Sequence, residues 1–446
     1  MASALKVAPS RRPARDVHLV LWCFVFLMHI AACGFAFTMA YAHQYLQHVT
    51  GGYNYVRVLK LLQPVTVTVA VYATIAIFHG LQLVRMCIWL VRPPIPTAKH
   101  SSCGGPIVRA MRRTLRLFSS RGPYYELKLA IKHVILAASQ TYRAYATSVL
   151  VDVSMINLTF SVVLFAYGVL LPLLWRFASP VARRQYTIAA AVCINFTANV
   201  ILPTWILRPY YTFFTRPDSS KIVYQDTFYP IGVSVCQSVL ATSYLDLTVA
   251  AITHAFLLFA LADFMTTFVL VPKVLLQRAS TLRDRKLPRW CSFSAVVGYI
   301  TSIFWAIAVL VISFASLRQP SCEPGCLAQT YPWLTGKCAC TVLETTCDGV
   351  NGMLLLPPTD SLEVRSLVFL IISHCPHLVM PSSLQAFTNL IGLEIFNSTL
   401  LSWDATVNIA PLTRFSYAQM VRTNMTDLPL GLFVDAPSTS RSTRTS

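Results

Sequence analysis

The sequence predicts a mainly α polytopic membrane bundle of 6–7 transmembrane helices followed by a short C-terminal leucine-rich-repeat α/β solenoid. Three observations carry that expectation. Of 446 residues, 55% are apolar and 12% charged, about half the charged fraction of an ordinary soluble domain. Six apolar runs are long enough to span a bilayer, which takes about 20 helical residues. The C-terminal segment repeats one leucine spacing at intervals of 23 and 25 residues. The mean hydropathy of +0.58 agrees with the first two and argues against a disordered chain or a soluble enzyme.

Residues 1–16 form a basic N-terminus with Lys6, Arg11, Arg12 and Arg15. The first apolar run, roughly 17–41, follows directly. It is longer than the 7–15 residues of a signal-peptide core, so it reads as a retained anchor, with a cleaved signal as the alternative. Further runs cover roughly 65–91, 154–175, 187–207, 248–272 and 295–316, which makes 17–316 the membrane domain.

Charge gives the expected sidedness. Residues 1–316 hold 29 Lys/Arg against 8 Asp/Glu, whereas 317–446 hold 7 against 9. The net charge of +19 therefore belongs to the membrane part, and nucleic acid is not an expected partner. Arg92, Lys99, Arg109, Arg112, Arg113, Arg116 and Arg121 crowd the linker 92–123, and six more basic residues crowd 273–289. Both linkers should be cytoplasmic by the positive-inside rule, like the N-terminus. Six crossings would then return the C-terminus inside, while its composition reads as outside. A seventh crossing is needed. The helix 124–151 carries Glu126, Lys128, Lys132, His133 and Arg143, and so would cross only within a bundle. The nearly uncharged stretch 230–247 is shorter and would leave Arg176, Arg183 and Arg184 outside. The first is preferred.

Residues 317–365 form a cysteine-rich cap. Cys322, Cys326, Cys338, Cys340 and Cys347, together with Cys375 beyond it, are disulfide candidates of an oxidising compartment. No paired C-x-x-C spacing supports a zinc site at Cys338 and Cys340. The sequons at Asn397 and Asn424 read as glycosylation sites. Localisation follows: a membrane protein, expected in the plasma membrane, with the C-terminal domain extracellular.

Repeats occupy 366–433. Leu367, Leu370 and Ile372 have the spacing L-x-x-L-x-L; Leu390, Leu393 and Ile395 repeat it; Phe415, Ala418 and Met420 do so less cleanly. This is the leucine-rich signature. Each unit offers a short strand whose inward apolar face is buried only by stacking on its neighbours. The ninth slot holds Cys375, Ser398 and Thr423, all able to bond the turn backbone. The alternating positions should be exposed and face a protein or peptide ligand: Phe369, Ile371, Ser373 and His374, then Glu394 and Phe396, then Tyr417, Gln419 and Arg422.

Several segments resemble a group of oomycete multi-pass membrane proteins with a C-terminal leucine-rich-repeat domain. They are Arg121-Gly-Pro123 with Ser139-Gln-Thr-Tyr-Arg-Ala-Tyr145, Ser243 to Asp246, and Cys322-Glu-Pro-Gly-Cys326 with Pro332-Trp333. The most specific are Ile372-Ser-His-Cys-Pro376, Asn389-Leu390, Phe396-Asn-Ser-Thr399 and Thr423-Asn-Met-Thr-Asp-Leu-Pro429. The resemblance covers 121–433 in patches. It implies a surface membrane protein of unknown ligand, not an enzyme, and further repeat units. Here the chain ends after three units in the polar tail 434–446, expected to be disordered, which looks like a truncated or misread gene model.

Within the spans, Asp246, His254 and Asp263 are the polar residues that a channel or secondary transporter would use, with the repeat domain as an accessory. The plainer expectation is that Asp246 caps a helix and Asp263 lies near a helix end. His29, His79 and Arg85 should contact backbone carbonyls or snorkel. Asn195 and Asn199 share a helix face and should join helices, and Pro203 should kink its span. Hydrolase, kinase and nucleotide-binding motifs are absent from the sequence, so no enzyme activity, cofactor or metal is expected. The function expected is receptor-like recognition or adhesion at the cell surface, the lipid bilayer being one partner and an unknown protein the other.

Overall fold

The computed structural model describes residues 15–48, 55–91, 125–177, 180–214, 227–269, 289–319, 321–322, 324–347, 354, 361–425, 427 and 429–433. Residues 1–14, the basic linker 92–123, most of 273–289 and the tail 434–446 lie outside them.

Long helices make up most of the described residues up to Ser316. They are α1 (Arg15–His48), α3 (Val65–Val91), α4 (Tyr125–Leu150), α5 (Ser154–Phe177), α6 (Pro180–Phe196), α7 (Leu202–Phe214), α9 (Tyr244–Phe264) and α10 (Arg289–Ser316). Between them lie one turn, α2 (Tyr55–Val58), and the short α8 (Phe228–Val239). Among the described residues six helices are long and apolar enough to cross a membrane: Leu19–His48, Val65–Leu90, Ser154–Leu174, Gln185–Tyr211, Tyr244–Phe268 and Val296–Ser316. The fourth runs through α6 and α7 without a break, joined by a π-helical turn, Thr197–Ile201. Pro203 sits just past that turn. Its missing N–H leaves the carbonyl of Asn199 without the usual helical donor, which accounts for the widened turn.

The helix α4 is too polar to qualify by composition, yet its 26 residues are about 39 Å long, enough to span. It runs antiparallel to α9. Lys128 pairs with Asp263 at 3.7 Å, Lys132 Nζ donates to the Phe256 carbonyl at 3.2 Å, and Tyr142 Oη donates to Asp246 at 2.7 Å. On another side it follows α10, with His133 Nε2 2.6 Å from Ser302 Oγ and Trp305 Nε1 donating to Thr141. Lys128 and Lys132 thus find partners on a neighbouring helix.

A small sheet region follows. Strands β1 (Cys326–Gln329), β2 (Cys340–Thr346), β3 (Phe369–Ser373), β5 (Gly392–Phe396) and β7 (Tyr417–Val421) form one sheet in that order. Only the first pair is antiparallel. The others align rung on rung, Leu343 with Leu370, Leu370 with Leu393, and Leu393 with Ala418. Leu370, Leu393, Ile372 and Ile395 are fully buried between this sheet and the returning segments. Those segments form a second sheet of β4 (Leu378–Val379), β6 (Thr399–Ser402) and β8 (Asn424–Met425). The cysteine-rich stretch expected as a cap contributes β1 and also β2, a rung in line with the later three.

Candidate functional site

Each rung ends in the same turn. His374, Asn397 and Arg422, the residues just after β3, β5 and β7, all have positive φ (58°, 47° and 53°). Ser398 Oγ donates to Phe396 O at 2.8 Å and accepts from Cys375 N at 3.0 Å. Thr423 Oγ1 donates to Ile395 O at 3.0 Å. These ninth-slot hydroxyls tie each turn to its neighbour, satisfying backbone groups that leave the ladder.

The sheet face opposite the leucine core is not open. Phe369, Ile371, Ser373 and Glu394 are buried, against the exposure their alternation predicts. The reason is the bundle: Ile231 of α8 packs on Val342, Phe369 and Ile371, and Tyr229 and Tyr417 meet edge to face at 6.0 Å. Ser373 Oγ also donates to Glu344 at 3.0 Å. Phe396, Tyr417 and Gln419 are half-buried, and only His374 and Arg422 are exposed, both in turns and not on strands. Gly392 makes the packing possible. A Cβ there would come 2.5 Å from the Tyr417 ring and 2.8 Å from Phe369, whose ring centroids are 5.7 Å apart.

Hydrogen bonds fasten the same junction. Arg414 is 3% exposed, and its guanidinium donates to the Val58 carbonyl at 2.7 Å. Gln237 of α8 donates to that carbonyl as well, at 3.1 Å. Arg57 donates to Thr413 O at 2.6 Å and Lys60 to Asn389 at 2.9 Å. Farther round, Tyr331 N donates to Ser148 O at the end of α4, and Trp333 packs on the bundle next to Tyr145. Burial pushes the Arg414 pKa down to about 10. Lys60 is also lowered, first by burial and then by Arg414 nearby.

The polar trio of α9 does not converge. Asp246 and Asp263 stand at opposite ends of α9, about 25 Å apart along its axis. Asp246 is a capping residue: Ser243 Oγ accepts from its backbone N–H, and its carboxylate accepts from Tyr142, Thr242 and Ser243. Asp263 pairs with Lys128. His254 lies between them, 1% exposed, stacked on Phe35 at 5.7 Å, with neither ring nitrogen bonded among the described residues. His29 and His79 contact each other, Nδ1 to Nδ1 at 2.9 Å, instead of backbone carbonyls. Arg85 lies over the Trp89 ring.

Sequence reasoning missed what surrounds Arg143. Its guanidinium donates to Asn199 Oδ1 at 2.7 Å, where Gln140 also donates at 3.4 Å. The same arginine lines a cavity of about 40 Å³ with Tyr72, Tyr142 and Asp246, room for a few waters. The i, i+4 pair Asn195 and Asn199 was the only sequence signal for it.

The six disulfide candidates form three bridges, Cys322–Cys338, Cys326–Cys340 and Cys347–Cys375. Asn397 and Asn424 are exposed, and the Asn397 amide lies 2.9 Å from His374 Nδ1. Comparison with family models, curated proteins and solved structures gives no match.

Proposed function

We propose that this chain is a receptor-like surface membrane protein of seven crossings whose C-terminal sheet region is an extracellular leucine-rich-repeat solenoid. The seventh crossing is α4. With it, the basic linkers 92–123 and 273–289 fall on one side and the cysteine bridges on the other, which agrees with the charge rule and with an oxidising exterior. The stacked rungs 23–27 residues apart, the repeated turn at His374, Asn397 and Arg422, and the resemblance to the oomycete group all support the solenoid reading.

The observation that carries the functional reading is the docking of the strand face on α8 and on the α1–α3 connection. A spacer needs no such seat. A recognition domain that reports through its membrane anchor does. The ligand surface is then the rim that docking leaves open, His374, Phe396, Gln419 and Arg422, with a protein or peptide partner. A transport reading requires Asp246, His254 and Asp263 to share one cavity, and of the three only Asp246 lines the one at Arg143.

Expression in microsomes tests the arrangement. The expected result is a glycosidase-sensitive mass shift that disappears in the Asn397→Gln, Asn424→Gln variant. An unshifted protein whose C-terminal region is digested by protease outside intact vesicles would put that region in the cytoplasm and end the surface-receptor reading.

A further inference from the structure

The junction between helices and sheet gathers positive charge from both sides. Lys60 and Arg414 come from opposite sides of it, and neither forms an ion pair among the described residues. Arg57 lies beside them, held on the carbonyl of Thr413, the residue before Arg414. Arg414 is 3% exposed, and its Nε is buried without a hydrogen-bond partner among the described residues. A buried guanidinium in that condition is costly unless a counter-ion joins it. Lys60 holds a left-handed backbone, φ 52°, which a side chain of its kind rarely adopts. That conformation is kept where its ammonium meets Asn389.

The chemistry selects the missing ion. A guanidinium fork and an ammonium point charge together suit a tetrahedral oxyanion, the fork for two oxygens and the ammonium for a third. The position agrees with it. Lys60 lies five residues before the start of α3 at Val65, within reach of the headgroup layer where that apolar helix begins. We propose that Lys60 and Arg414, with Arg57 beside them, bind a phosphate group that cements the sheet region to the bundle. The phosphate comes either from a lipid headgroup or from solution.

The full chain in a phosphate-free maltoside detergent, at fixed ionic strength, separates the sources. Phosphatidic acid is titrated in one arm and inorganic phosphate in the other, and the thermal unfolding midpoint is read in both. A rise in the midpoint with phosphatidic acid alone assigns a lipid headgroup, and a rise with both assigns the phosphate group whatever carries it. Lys60→Gln, at an exposed position, should need about tenfold more ligand for the same rise, as expected from losing one charge-assisted hydrogen bond. Arg414→Gln should abolish the response if it folds. An unresponsive wild type, or a Lys60→Gln variant that titrates like wild type, overturns the proposal.

Discussion

The bundle and the sheet region solve the same problem, the burial of polar groups, in opposite ways. In the bundle several buried polar side chains pair with residues far along the chain: His29 with His79, Arg143 with Asn199, Ser161 with Ser313. No two of these pairs are alike. In the sheet region one solution is copied. Ser398 and Thr423 occupy the same slot, and His374, Asn397 and Arg422 take the same left-handed turn. A periodic chain carries its own partners at a fixed offset, whereas a bundle must find them in three dimensions. Damage should therefore spread from rung to rung in the sheet region and stay within one pair in the bundle.

The largest expected effect tests the first half of that comparison. Cys347–Cys375 closes a loop of 28 residues and ties β2 to the turn after β3. Replacing both cysteines by serine should cost about 3–4 kcal/mol, chiefly by freeing the unfolded chain. Limited proteolysis should then cut the sheet region as a whole while the helices stay protected. Cleavage confined to 348–360 would show that the rungs do not depend on one another.

Gly392→Ala should come next, at about 1–3 kcal/mol. The added Cβ enters the space between the Phe369 and Tyr417 rings, on the face seated against α8. The loss should therefore appear in hydrogen exchange at both β5 and α8. Exchange changed in the strands alone would mean that the seat contributes little to stability.

The same contrast explains what the sequence made legible. The six apolar helices could be read because span length and hydropathy are local properties. The strand spacing could be read because Leu367, Leu390 and Phe415 recur. The burial of Phe369, Ile371, Ser373 and Glu394 could not, because alternation says which residues leave the leucine core but not what stands on the other side. What stands there is Ile231 and Tyr229 of a short helix with no periodic tie to the strands. The rung β2 was hidden by its cysteines, which drew attention to bridging and away from Leu343. Arg143 reads in the sequence only as a charge within α4, because its partner Asn199 lies 56 residues away on another helix.

Asp246→Asn should have the smallest effect, and it tests the bundle's half of the comparison. The carboxylate accepts from Tyr142, from Ser243 and from Thr242 twice. An amide keeps one acceptor oxygen and turns a donor toward groups that are donors themselves. The loss should be about 1 kcal/mol, typical of a helix cap, read as a small fall in the unfolding midpoint with faster exchange in the first turn of α9. Because Asp246 and Asp263 sit at opposite ends of that helix, the Lys128 pair should be untouched, and the end of the bundle where α4 meets Asp263 should exchange as before. A transport role for Asp246 makes a different signature: ion flux in proteoliposomes lost in the variant, with the midpoint unchanged. A cap loses stability first, and a transport carboxylate loses flux first, so the two measurements on one variant separate them.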